Sequence, residues 1–168
     1  MATVRSEVAL PEIAIRPMHE QEVPAVVALE REAYLFPWTE GIFRDCLRVG
    51  YLCRVIDLEG TVVGFGIMSC GAGEAHVLNI CVRPDLRCRG IGRRMLDYLL
   101  DRGYDAGMLE AFLEVRPSNV AAIRLYQSAG FEQVGIRRGY YQAVGGREDA
   151  VVLKLDLTAR ASARAHQR

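Results

Sequence analysis

The 168-residue sequence predicts a mixed α/β domain, a central mixed sheet with helices on both faces. Three observations predict it. Strand-like and helix-like runs alternate along most of the chain. Two pairs of strand-like runs meet at short turns, Glu59-Gly60 and Gly145-Gly146, which marks antiparallel hairpins. One helix-like run is flanked by two apolar strand runs, the pattern of a right-handed parallel crossover.

The elements follow in the order β-α-α-β-β-β-α-β-α-β-β. Residues 1–12 read as a flexible lead-in, and IAIRP (13–17) as the first strand. Residues 19–34 read as a helix with Pro24 near its first turn, and 39–50 as a short helix capped by Thr39. YLCRVID (51–57) and TVVGFGIMSC (61–70) form the first hairpin, and AHVLNICV (75–82) is a strand that ends at Arg83-Pro84. Met95, Leu96, Leu99 and Leu100 then space out one apolar helical face. AFLEVR (111–116) is a strand, and a helix from about Asn119 to Ala129 stops at Gly130. FEQVGIRRGYY (131–141) and EDAVVLKLDL (148–157) close a single domain over 13–157. The tail TARASARAHQR (158–168) lacks acids and large apolar residues, and it reads as a disordered basic tail.

Composition narrows the function. The 21 acidic and 21 basic side chains cancel, so no global charge points to nucleic acid. No apolar run reaches the ~20 residues of a membrane span, and the N-terminus has no signal-peptide core; a cytoplasmic protein is expected. The five cysteines form no CxxC pair, and Cys53, Cys70 and Cys81 in apolar runs read as buried free thiols. With only three scattered histidines, no metal site is expected; His76 reads as a strand residue with a local hydrogen bond.

The stretch RCRGIGRRMLDYLL (87–100) needs more than packing to explain it. Each glycine at a helix start costs about 1 kcal/mol against alanine, and the arginines repel one another. A strand, a tight glycine turn and a helix N-terminus instead collect free N–H groups and a positive dipole end, which suit an anion. No Lys-Ser/Thr follows Gly92, so this is not a Walker loop, and Met95 replaces the third glycine of a dinucleotide fingerprint. What remains is Arg87-Cys88-Arg89-Gly90-Ile91-Gly92, Arg-x-x-Gly-x-Gly. It resembles the pyrophosphate loop of the GNAT acetyltransferase superfamily, which binds acetyl-CoA. Arg83, Arg87, Arg89, Arg93 and Arg94 suit the phosphates of CoA, and at least two of them, Arg94 among them, read as solvated helix-start charges.

Beyond the crossover, Asn119 and Tyr126 are seven apart and so share one stripe of their helix. In the superfamily an Asn at this place contacts the pantetheine arm and a Tyr sits at the CoA sulfur. The alternative readings are a helix cap for Asn119 and a core aromatic for Tyr126. Glu114 shares a strand face with Phe112 and Arg116 by alternation. It reads either as an ion-pair partner of Arg116 or Arg124, or as a general base beside the cleft.

FPW (36–38), NICV (79–82), LEVRPSN (113–119), the run from Ile136 to Tyr141 and GREDA (146–150) together resemble the bacterial ribosomal-protein alanine N-acetyltransferases, the RimI group. The resemblance spans Ile13 to Leu157. It implies the GNAT-like sheet, acetyl-CoA as cosubstrate, and the N-terminal alanine amine of a small-subunit ribosomal protein as acceptor, attacked directly. Glu114 is then the base and Tyr126 the acid. The cofactor lies along Ile80, Cys81 and Val82, where an N–H near Cys81 or Val82 polarises the thioester in a splay between strands, and along Arg87 to Arg93 and Asn119. Phe36, Trp38, Tyr140 and Tyr141 either wall the peptide groove or belong to the core. The alternatives are a broader lysine or small-amine acetyltransferase, and a non-catalytic CoA-binding module. Cys88 inside the loop lies outside the pattern.

Overall fold

The computed structural model describes residues 12–168, so the expected lead-in lies, but for Glu12, outside the described residues. The strands are β1 (Ile13–Pro17), β2 (Leu52–Leu58), β3 (Thr61–Gly71), β4 (Glu74–Val82), β5 (Glu110–Val115), β6 (Glu132–Ala143) and β7 (Gly146–Asp156). The helices are α1 (Val23–Ala33), α2 (Glu40–Arg48), α3 (Ile91–Asp105), α4 (Val120–Ser128) and α5 (Leu157–Ala165). Pro24 sits in the first turn of α1, and a single 3₁₀ turn at Glu20–Glu22 precedes it. Thr39 caps α2 by accepting from the Ile42 N–H.

The strands form one sheet in the order β1-β2-β3-β4-β5-β7-β6. Every neighbouring pair is antiparallel except β4 and β5, the strands joined through α3. Alternating side chains divide the core in two. On one face Phe65 and Ile67 of β3 pack with Val23, Val26 and Val27 of α1 and Phe43 of α2. Phe43 and Phe65 meet edge to face with centroids 5.3 Å apart, and burial of each phenyl ring contributes about 2–3 kcal/mol. On the other face Met95, Leu96, Leu99 and Leu100 of α3 pack on Met68, Ala75 and Leu113. Glycine in β3 is what lets α3 approach: a Cβ on Gly66 would lie 2.7 Å from the Met95 side chain.

Two expectations are corrected. The basic tail is not disordered over most of its length: Leu157–Ala165 form α5. Asp156 caps it by accepting from the Ala159 N–H, and Leu157 is buried. Arg160, with its side chain only 8% exposed, bridges Asp97 at 3.1 Å and Asp101 at 2.6 Å on α3. The acids that a composition reading finds missing from the tail are supplied by another helix. Cys70, expected to be buried, is exposed because it lies near the outer end of the β3–β4 hairpin; Cys53 and Cys81 are buried.

Candidate active site

The ladder between β4 and β5 has only three rungs, Glu74↔Glu110, Ala75↔Ala111 and His76↔Phe112. Beyond His76 the strands part, as the family resemblance implies. On the open side of β4 the Ile80 carbonyl accepts from the Tyr34 hydroxyl (3.3 Å) and the Val82 carbonyl accepts from Arg87 Nε (3.1 Å). In a strand the N–H and C=O of one residue point to the same edge and alternate along the chain. The N–H groups of Ile80 and Val82 therefore face the gap, whereas Cys81 turns its backbone to Phe65 of β3. Of the two candidates for polarising a thioester, Val82 has the right direction and Cys81 the wrong one.

The loop after β4 enters α3 through two left-handed residues, Cys88 at φ 61° and Gly90 at φ 78°. Gly90 is the N-cap of α3, so the helix opens with unsatisfied N–H groups facing out of its end. A Cβ on Gly92 would stand 3.7 Å from Leu125 and 3.8 Å from Val82, narrowing the cleft between β4 and α4. Backbone N–H groups gathered at a glycine-opened helix end suit a close anion. Asp85 pairs with Arg83 at 2.6 Å, and Arg93 lies 3.3 Å from Asp97 and 3.1 Å from Ser128 Oγ.

Glu114 of β5 stands just beyond the last rung, its side chain 7% exposed. Neither Arg116 nor Arg124 is its partner. Instead Oε2 meets His76 Nε2 at 2.5 Å and Oε1 meets Arg137 Nε at 3.2 Å. Burial opposes ionisation, but the hydrogen bond and charge of His76 and the charge of Arg137 outweigh it and hold the carboxyl below its ordinary value. Arg116 turns away to Glu148 (3.3 Å) and lies over the Tyr141 ring, 4.3 Å from its centroid. Tyr126 of α4 is 9% exposed, packs against Phe131, and is pushed by burial up to about 12. Asn119 caps α4 through its side chain, which accepts from the Ala122 N–H, and it also borders the cleft.

One cavity of about 920 Å³ joins these groups. It brings together Glu114, Tyr126, Asn119, the end of β4 (Ile80, Cys81, Val82), the loop residues Arg87, Cys88, Gly90, Ile91, Gly92 and Arg93, and the aromatics Phe36, Trp38 and Tyr141. Two of the expected site residues, Arg89 and Tyr140, are exposed and lie off its walls. Trp38 serves core and cleft together, its ring 5.4 Å from Phe43. Tyr140 packs edge-on against Tyr141 with centroids 4.8 Å apart.

Sequence reasoning missed two groups. His76 passed as an ordinary strand residue, because its bond to Glu114 depends on the β4–β5 register. Glu30 lines the cavity and is buried, accepting from Asn79 Nδ2 (3.0 Å) and the Trp38 N–H (3.2 Å); burial pushes its carboxyl up. Its signal was present: Glu30 continues the helical stripe of Val23, Val26 and Val27, a carboxylate on an apolar face.

Comparison with known proteins agrees with this geometry. The model of the acetyltransferase (GNAT) family matches residues 15–131. The [ribosomal protein bS18]-alanine N-acetyltransferase of Escherichia coli is 38% identical over 144 residues, 86% of this chain and 97% of that protein. The protein of the same name from Haemophilus ducreyi is 32% identical, over 82% of this chain and 96% of its own length. Among solved structures, the ribosomal-protein-S18-alanine N-acetyltransferase from Escherichia coli superposes with a TM-score of 0.81 at 37% identity, covering 87% of this chain and 94% of that one. Ard1 from Thermoplasma volcanium superposes with a TM-score of 0.79 at 26% identity, covering 86% and 97%. A parted β4–β5 pair, a glycine loop opening α3 and a sequence match through both place the chain in the GNAT acetyltransferase family.

Proposed function

We propose that this chain transfers an acetyl group from acetyl-CoA to the α-amine of an N-terminal alanine in a small-subunit ribosomal protein, in the cytoplasm. The observation that carries the proposal is Glu114: a nearly buried carboxylate, held ionised, on the wall of the same cavity as the Tyr126 ring. The relatives named for bS18-alanine acetylation, matched over nearly their whole length, support the choice of acceptor.

When bound, acetyl-CoA supplies an acyl group activated as a thioester. The cradle from Arg87 to Gly92 would hold its diphosphate, and Asn119 would border its pantetheine arm. The Val82 N–H donates toward the acyl oxygen, where negative charge grows as the amine attacks. Glu114 takes the proton that the attacking amine gives up. A peptide α-amine has a pKa near 8, so its neutral form costs about 1 kcal/mol at pH 7, against about 4.6 kcal/mol for a lysine. A carboxylate held below its ordinary pKa is a mild base, and the first acceptor asks far less of it than the second. Tyr126 donates a hydrogen bond toward the departing sulfur. Phe36 and Tyr141, both beside the Arg116 guanidinium, wall the path of the peptide.

The test measures turnover on two peptides, one with a free N-terminal Ala and one with that terminus blocked and an internal Lys. The free terminus is acetylated, and Glu114→Gln slows this by roughly 10²–10⁴-fold, the usual contribution of a general base. Comparable kcat/KM on the lysine peptide, or an unaffected Glu114→Gln enzyme, would overturn the proposal.

A further inference from the structure

His76 lies on the last backbone rung that joins β4 to β5, opposite Phe112. Glu114 is two residues further along β5, on the same face as Phe112, at the point where the ladder has ended. The His76–Glu114 contact therefore spans the vertex of the gap: a side-chain bond takes over between the strands where backbone bonding stops. A carboxylate only 7% exposed needs donors to replace lost water. Among the described residues two side chains provide them, and they are unequal. Arg137 is 58% exposed and reaches Oε1 from the rim, so water or substrate can replace it at little cost. His76 is fixed in a paired strand, its imidazole 34% exposed, and it meets Oε2 at 2.5 Å.

We infer that His76 is a positioning residue for acetyl transfer: donating from Nε2 to Oε2, it holds the Glu114 carboxylate so that Oε1 meets the substrate amine, and it pins the vertex of the cleft. The inference rests on the reading of Glu114 as the base. A glutamate side chain turns about three bonds, and ordering them costs side-chain entropy. A carboxylate tied at one oxygen has met that cost before substrate arrives. A serine or alanine in place of His76 would leave the strands joined by their three rungs and the carboxylate free to swing out of line.

The experiment measures kcat, peptide KM and CoA affinity for wild type, His76→Ala, His76→Gln, Glu114→Gln and the Glu114→Gln/His76→Ala double variant. His76→Ala should lower kcat on the order of tenfold to a hundredfold, the effect of a misplaced catalytic group, with peptide KM and CoA affinity within about twofold. His76→Gln, whose amide N–H can reach the same oxygen, should recover most of the rate. On the Glu114→Gln background, removing His76 should cost less than about twofold, because a residue that acts through Glu114 has nothing left to position. A wild-type kcat for His76→Ala, equal losses in the Ala and Gln variants, or a full second loss in the double variant would each overturn the inference. Wild-type rates for Glu114→Gln would overturn the base reading and the inference with it, whereas a slow Glu114→Gln enzyme beside a fast His76→Ala enzyme overturns the inference alone. Should His76→Ala not fold, His76→Asn, whose amide stops short of Oε2, takes its place with the same expectations.

Discussion

Replacing Tyr126 with phenylalanine separates two roles that its hydroxyl could play. The ring would stay in place, since Tyr126 is 9% exposed and packs against Phe131 with centroids 5.8 Å apart. Losing one neutral hydroxyl then changes stability by only about 1 kcal/mol. The chemistry is more sensitive. Burial pushes the phenol up to about 12. An ordinary thiol ionises near 8.5, so handing the phenolic proton over completely to a departing thiolate is uphill by roughly 5 kcal/mol. A hydrogen bond to a charged sulfur is worth about 1.5–3 kcal/mol, which predicts a loss of roughly 10- to 150-fold in kcat for Tyr126→Phe. The KM for acetyl-CoA should stay within about threefold, because the bond strengthens only as charge develops. The assay follows release of free CoA thiol with saturating Ala-start peptide, from pH 6 to 9.5. A kcat within threefold of wild type would refute the hydrogen bond. A loss beyond about 10³-fold, with a wild-type basic limb that vanishes in the variant, would refute the hydrogen-bond role in favour of full proton transfer.

Two further outcomes are expected. Cys88 is exposed within the cradle at the start of α3, and Cys70 is exposed at the far end of the β3–β4 hairpin, so CoA should slow alkylation of Cys88 and leave Cys70 unchanged; equal protection of both, seen by mass spectrometry, contradicts the placement of the cofactor. Arg16 bonds Glu22 at 2.7 Å and Asp57 at 2.9 Å and holds both carboxyls below their ordinary values. Their contribution is therefore present above the unfolded carboxyl range near pH 4 and lost as pH falls through the depressed folded values. Urea midpoints for Arg16→Met should fall less steeply than wild type below pH 5, and parallel declines would contradict the pairing.

What the chain disclosed before folding was whatever depends on neighbours in sequence. Glu59-Gly60 marks its hairpin, Thr39 and Asn119 mark their helices, and the Arg-x-x-Gly-x-Gly run marks its cradle, because turns and caps act over a few residues. What stayed hidden depends on register and on distant partners. His76 and Glu114 are 38 residues apart, and Arg160 and Asp97 are 63 apart. No local pattern could choose His76 over Arg116 for Glu114, or show that the tail arginines would find acids on α3. The insertion of β7 between β5 and β6 is likewise a tertiary choice, since the hairpin alone allows either strand to be outermost.

The parted strands also bear on how the sheet avoids pairing with other chains. An unpaired strand edge in the open is a template for another chain, and the route by which sheets aggregate. The outer edges here are poor templates. β1 is five residues long, and β6 carries Arg137 and Arg138 and breaks register twice. The exposed edge of β4 is of a different kind, because it faces inward, into a cleft walled by Glu30 and Tyr34 on one side and Leu125 and Tyr126 on the other. A foreign strand would need flat access along several residues to pair there, and the walls deny it. A slender ligand with its own hydrogen-bonding groups can enter. The protein thus keeps free backbone donors at the centre of its sheet without offering them to a second copy of itself.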